Sequence, residues 1–107
     1  MNASEAVKKL ATGDAIVIDV REAAEVSASG MAEGALHVPL ATIRMKADPQ
    51  SPDYLEELKS GKPVAIYCAS GGRSGMATQV LQQLGHSDVS NIGGFGDWVN
   101  AGGPVRR

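Results

Sequence analysis

Short β-branched runs alternate along this chain with stretches whose apolar residues recur every three or four positions. From Asn2 to Thr12, Ala3, Val7, Leu10 and Ala11 share one helical face. Asn2 stands as a cap with Glu5 in the capping-box position, and Gly13 ends the helix. Ala15 to Val20 is a nearly continuous apolar run holding one carboxylate, Asp19, as expected for a parallel strand covered on both faces. Glu22 to Ser29 reads as a short helix, and Gly30 to Pro39 as a glycine-punctuated loop with an extended piece at Leu36 to Val38. Further helices are expected at Ala41 to Lys46 and at Asp53 to Ser60, the second with Ser51 as cap and Pro52 at its first position. Pro63 to Tyr67 is a second apolar strand. Ser74 to Leu84 is the best-patterned helix, with Ala77, Val80, Leu81 and Leu84 on one face and Gly85 closing it. Val89 to Ile92 is a last strand, followed by a helical turn around Trp98. Strands alternating with helices predict an α/β fold: a mostly parallel central sheet with helices on both faces. No repeat, linker or low-complexity stretch divides the chain, so residues 1–107 read as one domain.

Composition narrows the function classes. An apolar content of 43% is enough for a core, and a net charge of −2 gives no basic stripe for nucleic acid. The aromatic residues Tyr54, Tyr67, Phe95 and Trp98 are too scattered to stack a run of bases. No apolar run approaches the roughly 20 residues of a membrane span, and the N-terminal residues do not read as a signal peptide. A single cysteine allows no internal disulfide, which suits a reducing compartment. The expectation is a cytoplasmic protein without nucleic-acid or membrane partners. With only His37 and His86 besides that cysteine, no metal-ligand spacing arises and no cofactor is implied.

The chemistry concentrates after the second strand. Cys68 ends that strand, Ala69-Ser70-Gly71-Gly72-Arg73 follow, and a long helix begins at about Ser74. In open α/β sheets, ligands bind beyond the carboxyl ends of the strands, where helix N-termini offer free N–H groups and positive potential. Gly71 and Gly72 let successive amides turn inward as an anion nest, and Arg73 adds a cation. Ser70 and Ser74 offer hydroxyls, although Ser74 is also a natural helix cap. Such surroundings lower a thiol pKa. A thiolate in an anion cradle can attack an electrophilic sulfur or phosphorus atom and retain it covalently. The alternative is that a lone cysteine at a strand end is a buried small hydrophobe; the strand end, diglycine, arginine and helix start in one segment favour the reactive reading.

That loop, together with Ile18-Asp19-Val20-Arg21-Glu22, Gly34-Ala35-Leu36-His37-Val38-Pro39-Leu40 and Asn91-Ile92-Gly93-Gly94-Phe95-Gly96-Asp97-Trp98, resembles the rhodanese family over nearly the whole chain. The resemblance implies a five-stranded, single-domain rhodanese-like α/β fold and a sulfurtransferase activity. Its catalytic cysteine maps onto Cys68 and its substrate-cradling loop onto Ala69, Ser70, Gly71, Gly72, Arg73 and Ser74. It also implies a small-molecule sulfur donor, such as thiosulfate or a low-molecular-weight persulfide, and a thiol or cyanide acceptor; a protein acceptor fits as well. Sulfurtransferases of this type have six residues from cysteine to arginine and related phosphatases seven; Cys68 to Arg73 is six. Many thiosulfate-preferring members have arginine directly after the cysteine, where this chain has Ala69. Met31-Ala32 and His37 also depart from the family's usual His-Ile and Asn. The rival readings are a sulfur carrier or docking module without turnover, and a small phosphatase or arsenate reductase.

Outside the loop, Asp19 and Arg21 are expected to form an ion pair bracing the turn or to orient the loop. Trp98 is expected in the core, His86 in a surface turn, and Arg106-Arg107 in a solvated tail. A Cys68–His37 dyad is the remaining alternative for the nucleophile.

Overall fold

The computed structural model describes all residues from Met1 to Arg107. Four parallel strands form the central sheet: β1 (Ile16–Asp19), β3 (Leu36–His37), β4 (Val64–Cys68) and β5 (Val89–Gly94), in the order β3-β1-β4-β5. The helices are α1 (Ala3–Ala11), α2 (Ala23–Ser29), α3 (Ile43–Ala47), α4 (Gly72–Gln83) and α5 (Phe95–Asn100).

The two strand faces separate the core into two apolar layers. Side chains alternate across a strand, so Ile16, Ile18, Val20, Val64, Ile66 and Cys68 face α3 and α4, packing with Ile43, Ala47, Ala77 and Leu81. Val17, Ala65, Tyr67 and Ile92 face the other way, against Ala6, Ala32 and Trp98. This two-sided burial is why β1 and β4 are apolar at every position but Asp19. Trp98 is fully buried, and its indole N–H donates to the Pro104 carbonyl (2.9 Å). Asn2 caps α1 in the expected capping box with Glu5.

Several expectations are corrected. The central sheet has four strands, not five; a separate antiparallel ribbon pairs β2 (Met31–Ala32) with β6 (Val105–Arg106). Arg106 and Arg107 are exposed as expected, but Arg106 is not in a free tail, because its backbone pairs with Met31. No helix runs from Asp53 to Ser60, only a 3-10 turn at Glu56–Ser60. Asp48 accepts from the Gln50 amide in the turn, and Ser51 accepts from the Asp53 amide, closing a further turn instead of capping a helix. Leu55 then donates its N–H to the Lys46 carbonyl (2.9 Å), which ties the segment to α3. His86 is half-buried, its Nε2 2.9 Å from the Ala47 carbonyl oxygen, so the turn after α4 is pinned to the end of α3.

Asp19 and Arg21 form the expected brace. The Arg21 side chain donates to both Asp19 carboxylate oxygens (2.8–3.1 Å), to Ser29 Oγ (2.7 Å) and to the Gly30 carbonyl (2.6 Å). Its guanidinium carbon also lies 4.5 Å from the Phe95 ring centroid. Both side chains are buried, at 4% and 0% exposure. Removing one partner strands the other charge away from water. Arg21→Met is expected to cost about 3–5 kcal/mol in urea unfolding, and a loss below about 1 kcal/mol would show that the pair is not a structural brace.

Candidate functional site

Cys68 ends β4 on the face packed against α4 and is 1% exposed. The loop after it turns back over the sulfur because of two backbone features. Gly71 caps α4 at φ +105°, a conformation that side chains with a Cβ rarely adopt. Across from it, β5 carries a bulge. Ile66 pairs with Asn91 but Cys68 with Gly94, so one extra residue lies in β5. The bulge brings Gly94 against the Ala69 carbonyl so closely that a Cβ on Gly94 would collide with it. Gly94, the second glycine of the β5 diglycine, is thus a packing requirement of the Cys68 loop, while Gly93 answers to its own positive φ and to Asp97.

Hydrogen-bond donors converge on the sulfur. The Gly71 amide lies 3.0 Å from Sγ and the Ser74 hydroxyl 3.3 Å. Burial pushes the thiol pKa up; the Ser74 hydroxyl and the amides of Ser74, Ser70 and Gly71 pull it down further, to about 7. An inert buried cysteine would shift upward, so the donors outweigh the desolvation here.

The Ser74 hydroxyl is shared. Its oxygen lies 2.7 Å from Asn91 Oδ1 as well as 3.3 Å from Sγ. A hydroxyl has one hydrogen, so it serves the amide oxygen or the sulfur, and a charge on sulfur draws it to the sulfur. Asn91 also donates from Nδ2 to the Gly71 carbonyl (3.0 Å) and accepts from the Gly93 amide (3.0 Å). One side chain therefore ties the Cys68 loop to the β5 bulge.

The remaining expected site residues are placed as follows. The helix begins at Gly72, not Ser74. Ser74 is buried in the first turn with its hydroxyl on Cys68 and Asn91, so it is not the cap. Ala69, Ser70 and Gly72 are exposed at the rim. Arg73 pairs with Glu25 of α2, with Nη1 2.6 Å and Nη2 2.8 Å from its two oxygens. Glu25 was not singled out from the sequence, where it reads only as part of the start of a helix. Asn91 also escaped notice, its signal being its place two residues before the diglycine. His37 forms no dyad: its Nε2 lies 2.8 Å from the Arg21 carbonyl oxygen, and the hydrogen bonds to Sγ come from Gly71 and Ser74. No cluster of side chains suits a metal ion. No helix is long and apolar enough to cross a membrane.

A family model described as a rhodanese-like domain matches residues 2–101. The chain belongs to that family. It is 36% identical over 95 residues to a sulfurtransferase of Allochromatium vinosum, covering 88% of this chain and 80% of the relative. It is 35% identical to thiosulfate sulfurtransferase 16, chloroplastic, of Arabidopsis thaliana, over 83% of this chain and 78% of that one. Among solved structures, a Rhodopseudomonas palustris protein described as a possible tyrosine phosphatase superposes with a TM-score of 0.86 at 31% identity, covering 98% of this chain and 82% of its own. Sulfurtransfer and phosphoryl transfer are thus both represented in the names borne by rhodanese-fold proteins, and the choice between them rests on the loop.

Absorbance of the Cys68 thiolate, read as a difference against Cys68→Ser, is expected to titrate with a midpoint near pH 7. Ser74→Ala removes one donor to the charged form and should move that midpoint upward by about one pH unit. An unchanged midpoint would assign the Ser74 hydroxyl to Asn91 alone.

Proposed function

We propose that this rhodanese-like domain, residues 1–107, is an enzyme that transfers sulfane sulfur through a persulfide on Cys68. The observation that carries the reading is the convergence of the Gly71 amide and the Ser74 hydroxyl on the Cys68 sulfur, with the thiol held at about 7. Near neutral pH the thiolate is well populated, and it needs no neighbouring base.

In the first half-reaction the Cys68 thiolate attacks the outer sulfur of a donor such as thiosulfate or a low-molecular-weight persulfide. A new S–S bond forms, the donor's own S–S bond breaks, and its electron pair leaves with sulfite or a thiolate. The Cys68–S–S⁻ terminal sulfur is then an anion among the amides of residues 69–74. In the second half-reaction an acceptor thiolate, or cyanide in an assay, attacks that terminal sulfur and restores the Cys68 thiolate. Donor and acceptor react in turn at one site, so ping-pong kinetics are expected.

Sulfur is favoured over phosphorus by the size of the loop. Six residues run from Cys68 to Arg73. The surface cavities lie elsewhere, the most apolar (about 240 Å³) between α1, Trp98 and Pro104, and none opens on Cys68. A single sulfur atom fits such a loop better than a tetrahedral phosphoryl group. The chain's single cysteine, which can form no internal disulfide, supports work in a reducing setting.

Incubation of the reduced protein with thiosulfate, or with glutathione persulfide, should add about 32 Da to its intact mass, as a covalent sulfur intermediate requires. Cyanide should remove that mass, and Cys68→Ser should never acquire it. A Cys68→Ser protein that still turned over, or hydrolysis of an aryl phosphate by the unmodified protein, would sink the assignment. A mass shift without multiple turnovers would make the domain a sulfur carrier for a partner protein.

A further inference from the structure

The one cation of the Cys68 loop is already engaged. Arg73 and Glu25 form a two-point ion pair at 2.6 and 2.8 Å, each side chain about one third exposed (31% and 33%). Arg73 holds the Glu25 carboxyl down at about 2, and Glu25 in turn raises the Arg73 guanidinium above its ordinary value. Both groups therefore stay ionised at any pH at which the thiolate works, and their charges cancel. Cys68 and Glu22, the latter at the cap of α2, also lie within electrostatic reach of Arg73, but Glu25 is its hydrogen-bonded partner and its strongest charge contact. Arg21 also lies within reach of Glu25 but is bound to Asp19. The position after Cys68 brings no charge, being Ala69. Two arginines thus face Asp19, Glu22 and Glu25, and the Cys68 thiolate adds another negative charge.

Resting on the sulfurtransfer reading, we propose that Glu25 is a specificity-determining residue. By occupying Arg73 it withdraws the loop's cation from the donor, so the site selects sulfane donors of low charge over dianionic thiosulfate. The amides and the Ser74 hydroxyl remain to hold the single negative charge of the persulfide. Monoanionic donors, such as organic hydropersulfides and thiosulfonates, meet less repulsion at this mouth than a dianion does. With benzenethiosulfonate, the Cys68 thiolate takes the terminal sulfur, the S–S bond breaks, and its electron pair departs on the benzenesulfinate. The charge of the donor at the reacting end is then one unit lower than with thiosulfate, while the bonds made and broken are the same.

The test compares kcat/KM for thiosulfate and benzenethiosulfonate, with cyanide as acceptor, in the unmodified protein and in Glu25→Gln. Removing the negative charge paired with Arg73 should raise kcat/KM for thiosulfate about tenfold and for the monoanion about threefold, since the Coulomb effect scales with donor charge. Without any substitution, the thiosulfate rate of the unmodified protein should rise with ionic strength as the repulsion is screened, and the benzenethiosulfonate rate should rise less. An equal change for both donors in Glu25→Gln, a fall with both, or a thiosulfate rate that declines with salt would overturn the role of Glu25. Transfer from both donors with an unaltered preference would overturn only this inference. Transfer from neither would overturn the sulfurtransfer reading and this inference with it.

Discussion

A buried ion pair at the end of β1 sets the position of everything around the cysteine. Arg21 is a permanent cation taken out of water, and such a group is tolerated only when its donors are satisfied. Its bonds reach Asp19 in its own strand, Ser29 at the end of α2 and the Gly30 carbonyl that opens the ribbon. Three pieces of chain are thereby fixed to one another. Helix α2 carries Glu25 on its first turn, and Glu25 holds Arg73 at the start of α4. The line of contacts runs from a core pair, through a short helix with no buried residue of its own, to the rim of the Cys68 loop. A helix of that length has little stability in isolation, so its place depends on these polar contacts.

The second constraint is the space needed by a backbone that closes over its own side chain. Cys68 is the last residue of a parallel strand, and its sulfur faces α4. For the following amides to point at that sulfur, the chain must reverse within three residues, which Gly71 allows with its positive φ. The reversal pushes the Ala69 carbonyl toward β5, and β5 accommodates it by a bulge and a glycine. Asn91 then fastens both sides of the contact, bonding to Gly71 and Gly93. Loop and bulge are complementary, so a change on β5 reaches the sulfur without touching it.

How far the sequence foretold this differs by the kind of signal. The alternation of apolar runs and amphipathic stretches placed α1, β1, β4 and α4 to within about two residues, because each buries a continuous face or stripe. The segment from Asp53 to Ser60 reads as a helix in the sequence because Ser51-Pro52 is ambiguous: the same serine that caps a helix can close a turn on its own neighbours. The ribbon of β2 and β6 is not legible in the sequence because two-residue strands carry no period, and the pairing is decided by contacts between residues more than seventy positions apart. At the site, the nucleophile candidate and its amide nest were legible because strand end, diglycine and helix start are local. Glu25 and Asn91 were not, because each is defined by a partner 48 or 20 residues away in sequence, Arg73 or Gly71.

Electrostatically, the site assigns different tasks to amides and to side-chain charge. Backbone N–H groups and one hydroxyl offset the cost of burying a negative sulfur, and they do so at fixed positions, with no mobile cation required. A free arginine beside the sulfur would lower the thiol pKa further, but it would also attract any anion and hold an expelled sulfite or sulfinate. Pairing Arg73 with Glu25 keeps the guanidinium as a rigid part of the rim and removes most of its reach in water. Short-range dipoles thus converge on the Cys68 sulfur, while the charge of Arg73 is offset by Glu25. Such an arrangement separates the stabilisation of a charge on sulfur, carried by amides and one hydroxyl, from the balance of side-chain charge at the rim, which Glu25 sets from outside the Cys68 loop.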